Sequence, residues 1–273
     1  MIYVILICSL TVVLATLALL AWYVVPLLNR SAQVKNIQGI CRREGLIVLT
    51  YDDGPSEKLT RRLLKELDEL DTKVTFFVTG VSAGTRPDEV RALKERGHEV
   101  GCHSERHVNA LKSLPWKAGR DCSRGMKTLE RLGIRPKFYR PPYGNATLGT
   151  ILASRAHNSR VVWWTHDSGD TGGVPGKANS LLTAITSRLG GGRRRAQEGD
   201  ESGLLEQRLH PDARAEFLAE LDRDGGVVLF HDSDRGHDAL DEYTIRVTRE
   251  IVERARESGK TITTMEHVMS LTS

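Results

Sequence analysis

Two aspartates stand side by side at positions 52 and 53, in the stretch IVLTYDDGPS from Ile47 to Ser56, where a run of aliphatic and β-branched residues meets a Gly-Pro turn. A buried strand that ends in adjacent like charges needs partners for them. His103 and His107, in HSERH, offer two imidazoles four residues apart. Placed on one face of a helical turn, they can share a cation with a carboxylate such as Asp53 and leave positions open for water and substrate. Such a mixed set of borderline and hard donors suits zinc first, with cobalt, nickel or manganese as alternatives. Side chains leaving a strand in succession diverge, so the other aspartate, Asp52, can face a reacting water as general base. An isolated HxxxH is more often a polar surface pair, and an isolated DDGP more often a turn. Their coexistence favours the metal reading.

Further polar residues collect after short apolar runs: Arg140, then Asp167 and Asp170, then His231 and Asp232. The runs themselves predict strands at 46–51, 73–79, 98–102, 137–140, 160–164, 226–230 and 261–264. Helical patterns alternate with them, as in SEKLTRRLLKELDELD, which places Leu59, Leu63, Leu67 and Leu70 on one face. Other helical patterns lie at 88–95, 116–132, 148–157, 178–189, 212–221 and 241–258. This alternation predicts a parallel sheet whose C-terminal edge carries all of the polar groups just named. That edge is where α/β folds build active sites. Asp232 and Asp234 are read as shaping the loop after His231. His98 and His166 are read as structural, and His210, His237 and His267 as surface or loop residues.

Residues 1–29 contain no charged side chain and exceed the roughly 20 apolar residues needed to cross a bilayer. They predict a transmembrane anchor, with Trp22 and Tyr23 at the interface and Pro26 at the helix exit. No basic segment precedes the apolar run, and no small-residue cleavage site follows it, which argues against a signal peptide. Residues 30–45 are read as a polar linker and 46–273 as one catalytic domain, with a charged, Gly-rich flexible insertion at 190–203 that contains Arg193–Arg195. Arg30, Lys35, Arg42 and Arg43 follow the anchor, and by the positive-inside tendency they argue for a cytoplasmic body. A net charge of +4 with 5% aromatic residues gives no basic, stacking surface, so no nucleic-acid partner is expected. Cys8, Cys41, Cys102 and Cys122 form no metal or disulfide spacing and are read as free.

Taken in order, TYDDGP, HSERH, RPPYG (Arg140 to Gly144), DSGD (Asp167 to Asp170) and LFHD (Leu229 to Asp232) resemble the five motifs of the NodB-type polysaccharide deacetylases, carbohydrate esterase family four. The resemblance runs from about Leu46 to the C-terminus. It implies a distorted, partly open (β/α) barrel of about seven parallel strands, here preceded by the transmembrane helix. It also implies a metal-dependent hydrolase that removes N-acetyl groups from the sugars of a glycan or a lipid-linked saccharide. By the same resemblance, Asp52 is the general base and Asp53, His103 and His107 are the metal ligands. Arg140 orients the base, and the Tyr143 backbone N–H contributes to an oxyanion hole. His231 is the general acid, tethered by Asp170, while Trp163, Trp164 and Leu229 wall the substrate pocket with Tyr143. Most relatives act on envelope glycans, which implies an extracytoplasmic catalytic domain, against the flanking charges. O-deacetylation and a catalytically inactive glycan-binding relative are the alternatives. Two departures stand out: Thr171 follows Asp170 where the family has Trp, and Tyr51 replaces Phe.

Overall fold

The computed structural model describes residues 1–177, 211–234, 236 and 238–272. The expected helix at 178–189, the insertion at 190–203, His210 and His237 lie outside them.

All seven expected strands form: β1 Leu46–Asp52, β2 Thr75–Val78, β3 Glu99–Cys102, β4 Phe138–Tyr139, β5 Arg160–Val161, β8 Gly226–His231 and β9 Thr261–Thr263. Two short ones join them, β6 His166–Asp167 and β7 Gly176–Lys177. The order across the sheet is β5-β4-β3-β2-β1-β8-β6-β7, with β9 also paired to β1. β9 takes the Leu46–Val48 half of β1, while β2 takes the Thr50–Asp52 half. The sheet is thus a curled half-barrel. The seven expected strands are all parallel, as is the short β6, and only the short β7 at one edge runs antiparallel, to β6. β6 and β7 consist of His-Asp and Gly-Lys, which leave no apolar run to read, unlike the longer runs at 137–140 and 160–164.

Outer helices cover the convex face: α2 Leu59–Glu69, α4 Pro87–Glu95, α5 Pro115–Arg131 and, further along the chain, α7 Pro211–Asp224 and α8 Asp238–Glu257. The Leu59, Leu63 and Leu67 face of α2 is buried, as its spacing predicts. Short helices α3 (Gly80–Thr85), α6 (Leu148–Ala156) and α9 (Met265–Ser270) complete the set. Along β1 the side chains alternate with period two. Ile47, Leu49 and Tyr51 enter the convex-side core, where Tyr51 stacks between Phe76 and Phe230 at centroid separations of 5.1 and 5.3 Å. The hydroxyl that distinguishes Tyr51 from Phe bonds Thr248 at 2.8 Å. Leu46 and Val48 enter the concave-side core, and Thr50 and Asp52 continue that row to the C-terminal edge.

The polar linker expected at 30–45 is instead helix. α1 runs unbroken from Ile2 to Glu44, and Ile37, Ile40 and Cys41 pack into the concave core with Phe138, Val162 and Met265. Its polar residues look like those of a linker but bond the body: Gln33 donates to Val161 O at 2.9 Å and Gln38 to Gly225 O at 3.1 Å. Before this packed part, α1 is long and apolar enough to cross a membrane, with a mean hydropathy of 2.8 and none of that window buried. All four cysteines are free.

Candidate active site

The C-terminal edge of the sheet brings together the residues that the sequence places after separate strands. Asp52 ends β1 on the concave side, 2% exposed. Its Oδ1 accepts from the Arg140 guanidinium at 2.9 Å, and the same nitrogen donates to Thr50 Oγ1 at 2.7 Å, one pleat below. Arg140 follows β4, is fully buried, and lies over the Phe77 ring at 4.1 Å. Burial pushes the Asp52 carboxyl above the usual range even though Arg140 pulls it down, and burial also lowers the Arg140 guanidinium.

Asp53 leaves the strand with a left-handed backbone, φ 74°, which turns its carboxylate away from Asp52 toward the histidines. Its Oδ1 lies 3.4 Å from His103 Nε2 and 3.2 Å from His107 Nε2. HSERH is not the helical turn expected from its spacing. It is an irregular loop in which Ser104 (φ 69°) and His107 (φ 58°) take left-handed conformations, and these bring the rings to 5.0 Å. His103 Nδ1 lies 2.8 Å from the Arg140 carbonyl. A carbonyl can only accept, so Nδ1 carries the proton and Nε2 presents its lone pair to Asp53. Burial keeps that ring neutral, pulling its pKa to about 3.

These three donors fit a divalent cation. Asp53 Oδ1 is buried with no hydrogen-bond partner among the described residues, and all three donor atoms lie within 4.8 Å of one another. The 3.2 and 3.4 Å separations match the edge of about 3.3 Å of a tetrahedron whose centre is about 2.0–2.1 Å from N or O donors.

His231 ends β8 at the same register as Asp52, so the two side chains point to the same face of the sheet. Asp170, fully buried, holds it twice: the backbone N–H donates to Oδ2 at 2.7 Å, and Nδ1 lies 2.9 Å from Oδ1. Burial alone would discharge the imidazolium. Asp170, with Asp53 and Asp52 behind it, outweighs that and raises the pKa to about 10.

Tyr143 sits in the turn Pro142–Gly144 with φ 59°, its exposed ring 4.5 Å from that of His107. Of the six described non-glycine residues with positive φ, Asp53, Ser104, His107 and Tyr143 belong to this site. Strain of this kind persists only where the surroundings enforce it, so the site's backbone is held in place. Trp163 is fully buried, and its indole N–H donates to Gly144 O at 3.3 Å. Trp164 lies beneath Arg140, 5.6 Å away, and Leu229 is almost fully buried in β8. Thr171 is exposed.

Two residues do more here than the sequence suggests. Asp232 is fully buried and accepts from Thr60 Oγ1 at 2.6 Å, while its N–H donates to Asp52 O at 3.0 Å. A Cβ on Gly54 would lie 2.2 Å from its carboxylate, so glycine is required where the DDGP turn crosses it. Arg30, read from sequence as a topology signal, donates to Gly144 O at 3.1 Å and lies over Trp164 at 5.4 Å. No sequence signal marks either contact, because both join segments far apart in the chain. His98 and His166 are buried, and burial lowers each to a pKa of about 4, as suits structural residues. His267 is exposed.

A family model described as polysaccharide deacetylase matches residues 39–175. A peptidoglycan-N-acetylglucosamine deacetylase of Bacillus cereus is 33% identical over 129 residues, 47% of this chain and 47% of that protein. A chitin deacetylase of Colletotrichum lindemuthianum is 35% identical over 136 residues, 45% of this chain and 52% of that protein. The chain thus spans about half the length of these relatives. Among solved structures, a peptidoglycan N-acetylglucosamine deacetylase superposes with a TM-score of 0.60 at 23% identity, over 83% of this chain and 89% of that one. That likeness concerns the fold.

Proposed function

The chain belongs to the polysaccharide deacetylase family, carbohydrate esterase family four, and from that premise we propose that it is a metal-dependent N-deacetylase of N-acetylated sugars. The observation that carries the reading is the juxtaposition of two opposed proton carriers beside a three-donor metal set. Asp52 and His231 share one register on one face, with Asp53, His103 and His107 next to them.

A divalent cation held by Asp53, His103 and His107, zinc by preference, would supply a Lewis acid for the acetamide carbonyl and for water. Asp52 takes the proton of the attacking water, and Arg140 holds the carboxylate in place. The backbone N–H of Tyr143 stabilises the developing oxyanion. His231, kept protonated by Asp170, gives its proton to the departing amine, which is a poor leaving group without it. That protonated acid favours amide over ester cleavage, since an alkoxide needs less help. Trp164, Leu229 and the Tyr143 ring would wall the pocket, with Trp163 supporting the Gly144 turn.

We read residues 1–29 as the membrane anchor of a single-pass protein and place the body on the outer side. The positive-inside argument against this weakens because two of its charges are used locally. Arg30 binds Gly144 O at 3.1 Å, and Arg42 lies 3.5 Å from Asp224.

Acetate release tests the reading, using the full chain in detergent with and without added zinc. The substrates are chitin oligomers, peptidoglycan, acetylated xylan and lipid-linked N-acetylglucosamine. Zinc-dependent release from an N-acetylated sugar is expected. Release from xylan alone would favour the esterase alternative, and none from any of them with metal bound would favour an inactive relative.

A second expectation concerns pH. Asp170→Asn removes the main group raising His231, so its pKa falls from about 10 toward the ordinary histidine range. The alkaline limb of kcat/KM against pH should move down with it. An unmoved limb would assign that limb to another group.

A further inference from the structure

We propose that the membrane lies against the catalytic rim itself, and that the substrate is an N-acetylated saccharide carried on a lipid of the adjoining leaflet. The second half rests on the deacetylase reading; the first rests on α1 and the surface beside it.

The direction of α1 relative to the sheet is the first observation. Its C-terminal end sits at the beginnings of the strands, where Gln38 bonds Asp224 O and Gly225 O and the chain turns at Gly45 into β1. Running back toward its N-terminus it crosses to the opposite edge, where Arg30 donates to Gly144 O at 3.1 Å. That second edge carries Asp52, His103 and His231. The free part of α1 therefore leaves the body on the active-site side.

The second observation is where the packing stops. Every residue from Ile2 to Leu20 is exposed, whereas from Ala21 on the helix meets the body. Trp22 fits against Gly149 so closely that a Cβ there would lie 2.7 Å from the indole, and Pro26 is buried. At ~1.5 Å per residue, Ile2 to Leu20 spans roughly 28 Å, about the thickness of a bilayer's hydrocarbon core. Trp22 and Tyr23 then fall at the interface, where such rings are favoured. From Trp22 to Arg30 is only about 12 Å along the helix. Val25 and Leu28, exposed on the same stretch, carry the apolar surface down to the level of the rim.

The body's own surface agrees with this placement. Leu114 and Trp116, at the N-terminal end of α5, are 57% and 54% exposed, and Trp116 shares a cleft with Trp22, Gly149 and Arg120. Lys112, Lys117 and Arg120 are exposed around them. Apolar and aromatic side chains ringed by cations suit an interface with anionic headgroups. An acetamide borne by a lipid is delivered to this rim, whereas a polymer far from the bilayer is not.

The test uses the metal-loaded full chain in vesicles of phosphatidylcholine and phosphatidylglycerol. The probes are N-acetylglucosamine on a polyprenyl phosphate and free chitobiose at equal bulk concentration. The lipid-borne sugar should be deacetylated at least about tenfold faster, through its raised local concentration. A helical spacer of about three turns, roughly 16 Å, inserted between Leu20 and Ala21 should abolish that preference and leave chitobiose turnover unchanged. Independently of activity, in a Cys8→Ser background a nitroxide at Leu114→Cys should sit in the interface, and one at Glu257→Cys, at the opposite edge, in bulk water. Equal rates for the two probes, or both nitroxides in water, overturn the proposal. No acetate from either probe with the Leu114 label in the interface would sink the deacetylase reading and leave the orientation standing.

Discussion

Asp52→Asn is expected to bind metal as the native chain does and to lose about 10²- to 10⁴-fold in turnover, the usual weight of a positioned general base. The amide keeps the shape of the carboxylate and can still accept from Arg140, but it cannot take a proton from water. Asp52 Oδ2 lies 3.8 Å from His103 Nε2, and Asp52 is not one of the three donor residues. His107→Ala differs in kind. It removes one of three donors, so metal content and turnover should fall together. Metal analysis after dialysis, paired with acetate release, separates the two variants. An Asp52→Asn protein that retains more than about a tenth of native turnover would show that the two aspartates do not divide their work in this way.

That division was half legible in the sequence. Period two along IVLTYD sends Asp52 to the concave face with Thr50 and Val48, and a strand ending in DDGP had to turn Asp53 elsewhere. What the pattern could not give is how Asp53 turns, because a left-handed φ of 74° at a non-glycine residue is imposed by the surroundings. The same limit applies to HSERH. Spacing of four suggests a helical face, yet the loop reaches the same convergence through two left-handed residues, which no periodicity records. The seven expected strands are legible because each lies within a run that carries apolar residues, even where only two residues pair, as in β4 and β5. β6, His-Asp, and β7, Gly-Lys, leave no such run.

Residues 30–45 illustrate the opposite error. Arg30, Gln33 and Gln38 read as solvent-loving linker residues, but each bonds a backbone carbonyl of the body. Only Ile37, Ile40 and Cys41 hint at a packed face, and three residues are too few to outweigh the polar majority. The consequence is functional as well as architectural. A linker would let the body drift from the apolar segment 2–20, whereas a continuous helix packed into the core fixes the distance between the two.

Arg140→Met should cost about 3–5 kcal/mol of stability at neutral pH, because it leaves the Asp52 carboxylate buried without its cation. Burial already holds the Asp52 pKa above its unfolded value with Arg140 present, and losing Arg140 raises it further. The sign of the pH dependence follows. A carboxyl whose folded pKa exceeds its unfolded one binds more protons when folded, so the variant's deficit is small at low pH and grows as pH rises through that range. Its acid activity limb should shift upward for the same reason, since the base must lose its proton before it can act. The double variant Arg140→Met with Asp52→Asn distinguishes a lost contact from an orphaned charge. Arg140 itself carries a burial cost, for its Nε and Nη2 find no hydrogen-bond partner among the described residues. Removing both charges should therefore recover much of the stability that removing one of them loses. Urea unfolding of the four proteins at two pH values measures this. If the double variant is as unstable as the sum of the singles, the pair contributes through packing on Phe77 and Trp164 instead of through charge.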